Sequence, residues 1–150
     1  METIKLIFVD GCSAASEVIK AVTGSQWSHV GVVTKGGIVE AVAPRVLISS
    51  LGRYDRYPQE IVEVAVPDPA KAMEELKSLI GRPYGFLDCV SGGLHDLFDA
   101  EIPLTDENTV NCCEVAVRTL RAGGIKIEED LDADCFTPGS LYTQLKLQEF

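Results

Sequence analysis

The hydrophobic positions in the first half of the chain predict short, buried β-strands. Four apolar runs of this kind cover residues 3–10, 27–33, 37–43 and 61–67. The first run ends at Asp10-Gly11, a dipeptide typical of a turn. The second and third meet at Lys35-Gly36-Gly37, which predicts an antiparallel hairpin.

Helical spacing of apolar residues dominates elsewhere. Helices are predicted over residues 13–24, 68–81 and 111–124, and a short helix is predicted after a turn within 135–147. The second has the clearest end signals, with Asp68 as N-cap, Pro69 at the first helical position and Gly81 just past the end. Residues 81–94 mix turn formers with apolar residues and predict no single element. Because the chain has no repeat, low-complexity tract or linker, we expect one α+β domain over residues 1–150.

The charge balance narrows the classes of partner. Thirteen Lys and Arg against 23 Asp and Glu give a net charge of −10, which argues against a nucleic-acid surface or an anionic membrane. The basic-aromatic cluster RYDRY at 53–57 is interpreted as a loop and not as a base-stacking platform. No apolar run approaches the roughly 20 residues of a membrane span.

The cysteine content and the N-terminal residues bear on the compartment. METIKLIFVDG lacks the basic region, apolar region and cleavage site of a signal peptide, so we expect a cytoplasmic protein. Five cysteines, an odd number, suit reduced thiols better than a disulfide framework. A leaderless export route would invalidate this inference.

Two adjacent cysteines open the predicted helix at 111–124. Asn111 followed by Glu114 forms a variant of the capping box, which makes Asn111 the N-cap. The apolar stripe of the helix then contains Cys113 together with Ala116, Val117 and Leu120. We therefore expect Cys113 to be a buried small hydrophobe and Cys112, about a quarter-turn away, to lie at the edge of the stripe.

Cys112 is the candidate nucleophile of the pair. A helix N-terminus favours a thiolate, whereas the nearby Glu114 opposes it, so activation would need an adjacent imidazolium. Two cysteines that open a helix are also typical of simple packing. The residues of this helix alone leave both interpretations open.

The hairpin brings a histidine and a glutamate to one face. A two-residue turn pairs positions with an odd sum, so His29 and Glu40 have side chains on the same side of the ribbon. A carboxylate beside a histidine fixes its tautomer and stabilises the imidazolium. The alternative is a polar pair on an exposed face. A turn of odd length would separate the two residues.

The motifs SHVGVV, IVEAV and NCCEVAV resemble those of the circularly permuted branch of the NlpC-type papain-like cysteine hydrolases, in particular its YiiX-like branch. In that branch the chain order is histidine, polar residue, cysteine. The resemblance implies a papain-like α+β fold with a small antiparallel sheet packed against helices. It also implies His29 as base, Glu40 as orienting residue and Cys112 as nucleophile, with Cys113 in the place of the family's serine.

Other motifs extend or compete with this resemblance. GRPYG resembles a G-x-P-Y stretch of the family and implies Tyr84 as a substrate-pocket residue. DCVSG at 88–92 resembles the nucleophile motif of the unpermuted branch, which would make Cys89 the nucleophile. That order needs a downstream histidine, and His95 is too close in sequence to come from the following strand. The lecithin-retinol acyltransferase group shares the permuted order and an NCE-like motif.

The function expected from these residues is a cysteine hydrolase. It would cleave a peptide, isopeptide or cell-wall amide bond through a thioester, with no cofactor. Acyl ester hydrolysis or acyl transfer on the same triad, or a non-catalytic peptide- or lipid-binding module, remain the alternatives. No metal is expected because the cysteines and histidines lack zinc-ligand spacing. A disulfide between Cys112 and Cys113 would be strained.

Overall fold

The computed structural model describes residues 2–11, 17, 20, 21, 24–42, 44–85, 109–133 and 136–148. Within these residues, five strands and three helices have defined bounds. They are β1 (Thr3–Val9), β2 (His29–Thr34), β3 (Gly37–Val42), β4 (Arg45–Ser49), β5 (Gln59–Ala65), α1 (Pro69–Leu79), α2 (Cys112–Ala122) and α3 (Pro138–Leu147). The predicted helix at 13–24 lies largely outside this set, as do Cys12, Cys89, His95 and Cys135.

The strands form one antiparallel sheet in the order β4-β3-β2-β1-β5, which confirms the predicted α+β class. In the predicted hairpin, β2 and β3 are joined by the two-residue turn Lys35-Gly36, and Val32 lies opposite Val39. The paired numbers add to an odd value, as the alternation of side chains on one face requires. Gly37 begins β3 with a φ of 140°, a conformation that favours glycine.

The structure differs from the predicted strands in two places. Strand β4 was not predicted, because it is only five residues long, is mixed in polarity, and is flanked by Pro44 and the polar turn at 51–57. It pairs along β3, with Ser49 opposite Ile38. β5 begins two residues before the apolar run at 61–67, because Gln59 and the next residue continue the pairing with β1 despite being polar.

Helices α1 and α2 begin at the capping residues that the sequence predicts. The Asp68 side chain accepts a hydrogen bond from the Lys71 amide at the start of α1. At the start of α2, Asn111 Oδ1 accepts the Glu114 amide at 2.7 Å, and the C-cap Gly123 follows the last residue of the helix. These bonds satisfy amides that a helix start leaves without an intrahelical partner.

The two faces of the sheet have different partners. The main core includes Phe8, Val30 and Val39 from one face, packed in the same cluster as Leu76 of α1 and Leu120 of α2. Helix α2 contacts both β2 and β3 on this face of the sheet. A smaller cluster on the opposite face contains Ile7, Val9 and Ile38, with Val33 and Tyr54 against it. Among the described helices, none combines the length and apolar character that a membrane crossing requires.

Candidate active site

His29 and Glu40 are in direct contact on the face of the sheet that carries the smaller cluster. His29 Nε2 lies 2.8 Å from Glu40 Oε2. The side chains of Ile38 and Glu40 pack over the backbone of Gly31. An added Cβ at Gly31 would lie 2.6 Å from Ile38 Cγ2 and 3.5 Å from Glu40 Cβ. The structure therefore brings together the histidine and the carboxylate that the hairpin register predicts on one face.

Glu40 is a fully buried carboxylate that accepts three hydrogen bonds and forms one ion pair. His29 and the Tyr54 hydroxyl, at 2.8 Å, share Oε2. The Ser49 hydroxyl at 2.7 Å and Arg53 Nη1 at 2.9 Å share Oε1. Burial raises the pKa of Glu40, but the hydrogen bond and charge of His29, with the Ser49 and Tyr54 hydrogen bonds, lower it below its ordinary value overall.

The protonation of Glu40 decides the tautomer of the neutral His29 ring. An ionised carboxylate can only accept hydrogen bonds, so the proton shared by the pair belongs to Nε2. In neutral His29 the other ring nitrogen, Nδ1, then carries no proton and has a lone pair. Nδ1 is therefore the atom of this ring that can act as a base.

Tyr54 and Arg53 are site residues that the sequence does not reveal. Their segment, RYDRY, is correctly predicted as a loop: residues 51–57 form consecutive turns between β4 and β5. Its side chains nevertheless reach the buried Glu40. Only the basic-aromatic composition of the segment sets it apart in the sequence, and composition does not indicate which strand a turn folds over.

The Tyr54 ring also lies beside that of His29. Its ring centre lies 5.6 Å from that of His29. The pKa of Tyr54 is raised by burial, then by the hydrogen bond and charge of Glu40, with a further contribution from the charge of Cys112; Arg53 opposes the shift.

Cys112 and Cys113 are the first two residues of α2, and neither forms a disulfide. They are 3% and 1% exposed and both belong to the main core. The prediction that Cys112 lies at the edge of the apolar stripe and is less buried than Cys113 is thus wrong. The reason is packing before the helix, where Gly85 donates to the Val110 carbonyl at 3.0 Å and brings a second segment alongside the helix start.

Tyr84 lies in that second segment, close to the start of α2. It forms a β-bridge with Val110, two residues before Cys112, and its amide donates to the Pro44 carbonyl at 3.0 Å. The side chain is partly buried against the main core. Its role as a substrate-pocket residue stays a prediction.

The described part of the chain offers no ligand set for a metal ion. No three or more His, Cys, Asp or Glu side chains of residues 2–11, 17, 20, 21, 24–42, 44–85, 109–133 and 136–148 are grouped so as to hold one. Of the residues proposed from the sequence, His29 and Glu40 are in contact; the approach of Cys112 to His29 stays a prediction.

Comparison with known proteins gives a limited result. No family model matches the chain, and no curated protein matches it. Among solved structures, the chain is similar to the metalloprotein YiiX (DUF1105) of Escherichia coli O157:H7. The two share 21% identity over 67% of this chain and 68% of that one, with a TM-score of 0.48. A likeness at this level carries no functional inference, and membership of the permuted NlpC-type family stays a prediction.

Proposed function

We propose that the protein is a cysteine hydrolase that cleaves amide bonds through Cys112, His29 and Glu40. The observation that carries the proposal is the 2.8 Å contact between His29 and the buried Glu40 carboxylate. A fixed, ionised carboxylate on a histidine is the arrangement that prepares an imidazole for proton transfer. Cys112 at the N-terminus of an eleven-residue helix is the nucleophile, because a helix N-terminus favours a thiolate.

The reaction proceeds in two stages. Cys112 Sγ gives its proton to His29 Nδ1 and attacks the carbonyl carbon, forming a tetrahedral intermediate. The intermediate collapses when the C–N bond breaks and His29 returns the proton to the amine, leaving a thioester on Cys112. His29 then takes a proton from water, the hydroxide attacks the thioester, and the carboxylic acid leaves as Sγ regains a proton. Throughout, Glu40 holds Nε2–H.

The substrate class is a peptide, isopeptide or cell-wall peptide in this proposal. Tyr84 would line the pocket and the protein would act in the cytoplasm, without nucleic acid. An ester or acyl-transfer substrate would use the same three residues. A non-catalytic papain-like module that binds a peptide or lipid is the second candidate, favoured by the 3% exposure of Cys112, since a buried thiol is poorly placed to attack a macromolecule.

The rate of Cys112 alkylation against pH separates an enzyme from a binding module. In the wild type we expect reactivity to persist well below the free-thiol pKa of about 8.5, because protonated His29 stabilises the thiolate. In His29→Ala we expect the reactivity to rise only near that value. Peptide mapping by mass spectrometry, with Cys112→Ala as the control, assigns the labelled site. Identical profiles in wild type and His29→Ala would favour the binding module.

A further inference from the structure

The turn at 51–57 supplies one hydrogen-bond donor and one cation to Glu40. Arg53 Nη1 lies 2.9 Å from Glu40 Oε1 and 2.7 Å from the Ser49 hydroxyl. The Tyr54 hydroxyl donates to Oε2 at 2.8 Å, the oxygen that His29 also contacts. The two consecutive turn residues thus bind the two different oxygens of one carboxylate.

We propose that this turn is a positioning element of the site, in which Arg53 compensates the charge of Glu40 and Tyr54 fixes both the carboxylate and the His29 ring. A fully buried carboxylate is stable only when a cation is paired with it. Arginine supplies a charge that does not titrate in the physiological range. Glu40 therefore stays ionised whether or not His29 carries its second proton. This inference rests on the proposed function of the His29–Glu40 pair.

The other charged groups described around the His29–Glu40 pair supply no cation to Glu40, so we assign that role to Arg53. On the β1 side, Val9 lies opposite His29, and the following Asp10 is paired with Lys20 at 2.8 Å. Lys20 also pairs with Glu17 at 2.8 Å, so these three side chains together carry one negative charge and offer no cation to Glu40. On the α2 side, the charge that reaches Tyr54 is that of Cys112.

Removing the Arg53 charge has a predictable direction. A positive charge near an imidazole disfavours the imidazolium, so its loss should raise the pH at which the His29 ring titrates. The Arg53 side chain is 42% exposed, so solvent screens part of the effect, and we expect a modest upward shift of the midpoint for Arg53→Gln. Tyr54→Phe keeps the ring beside His29 and removes one donor, so its upward shift should be smaller.

Nitrogen NMR of the histidine rings measures this titration directly. The chain has two histidines, and the signals lost in His29→Ala identify those of His29. The same turn provides matched controls: Arg56→Gln removes an exposed arginine, and Tyr57→Phe removes the hydroxyl of a tyrosine whose ring stacks edge-on against Tyr54. Both controls should titrate as the wild type does. Arg53→Lys keeps the positive charge, so its midpoint should stay close to that of the wild type.

The outcomes separate this inference from the proposed function. An upward shift in Arg53→Gln that is absent in Arg56→Gln supports the inference; an unchanged or lowered midpoint overturns it. If Arg53→Gln does not fold, Tyr54→Phe carries the test, and a midpoint equal to that of Tyr57→Phe overturns the inference. Because the ring titration does not need a reactive thiol, an inert Cys112 would reject the hydrolase and leave this measurement intact.

Discussion

Cys112 and Cys113 are equally buried, so their difference has to be chemical. We predict that Cys113→Ala keeps the labelled site and any hydrolysis, and that Cys112→Ala removes both. Each substitution should lower the free energy of unfolding by about 1 kcal/mol, since each deletes a buried sulfur from the main core.

Iodoacetamide labelling and urea denaturation of the two variants test this prediction without a known substrate. Cys113→Ala is the matched control, because it makes the same chemical change one position further along the helix. Labelling of Cys113 in preference to Cys112 would contradict the assignment.

The residues of the site differ in how far the sequence predicts them. His29 and Glu40 follow from the period of a strand and a two-residue turn, because side-chain alternation is a short-range property. Their contact at 2.8 Å agrees with that register. Arg53 and Tyr54 could not be found in this way, because the direction in which a turn folds over a sheet depends on tertiary packing.

At the scale of elements, the β2–β3–β4 hairpins hold the Glu40 carboxylate in place. Gly37 is in the left-handed half of backbone space, and an added Cβ would lie 2.3 Å from the Ser49 carbonyl oxygen. We predict that Gly37→Ala lowers the free energy of unfolding by about 3 kcal/mol or more, because it adds backbone strain to a steric overlap. It should also displace Ser49, whose hydroxyl contacts Glu40.

Gly36→Ala is the control for this prediction. Gly36 precedes Gly37 in the turn, and a Cβ there would meet only the Thr34 hydroxyl at 3.9 Å. Thermal denaturation of the two variants should therefore show a large loss for one and a small change for the other. Equal stabilities would mean that the turn rearranges freely.

The elements themselves were predictable where local signals mark both ends. Helices α1 and α2 begin at the capping residues Asp68 and Asn111 that the sequence indicates. Strand β4 was missed and β5 begins early, because Gln59 and other polar edge residues pair through the backbone, which the hydropathy pattern does not report.

At the scale of the whole molecule, Glu40 ties stability to pH. Its folded pKa lies below the ordinary 4.5, so its contribution is complete above that value and is lost as the pH falls through the folded pKa. We predict that Glu40→Gln lowers the free energy of unfolding by about 2 kcal/mol near neutral pH, at the low end for a buried ion pair because Arg53 can turn to solvent. The difference should shrink as the pH falls through the folded pKa of Glu40.

Urea denaturation at several pH values measures this difference. Glu60 and Asp68 also have lowered pKa values, through hydrogen bonds from Lys146 and from the Lys71 amide respectively. They are present in both proteins and cancel in the comparison. A constant gap between wild type and Glu40→Gln at all pH values would contradict the prediction.

Fluorescence of the buried Trp27 and far-ultraviolet circular dichroism should give coincident transitions if the chain is one domain.

The hairpin that pairs His29 with Glu40 also has a consequence for how the chain acquires reactivity. These two residues are eleven positions apart, so their contact is local and forms at a small entropic cost. Cys112 belongs to a helix encoded far downstream and reaches the sheet only through long-range docking. A chain still emerging from the ribosome would form the His29–Glu40 contact before the helix that carries Cys112 docks. In the proposed hydrolase, the order of synthesis would then keep the Cys112 thiol unactivated until the fold is complete.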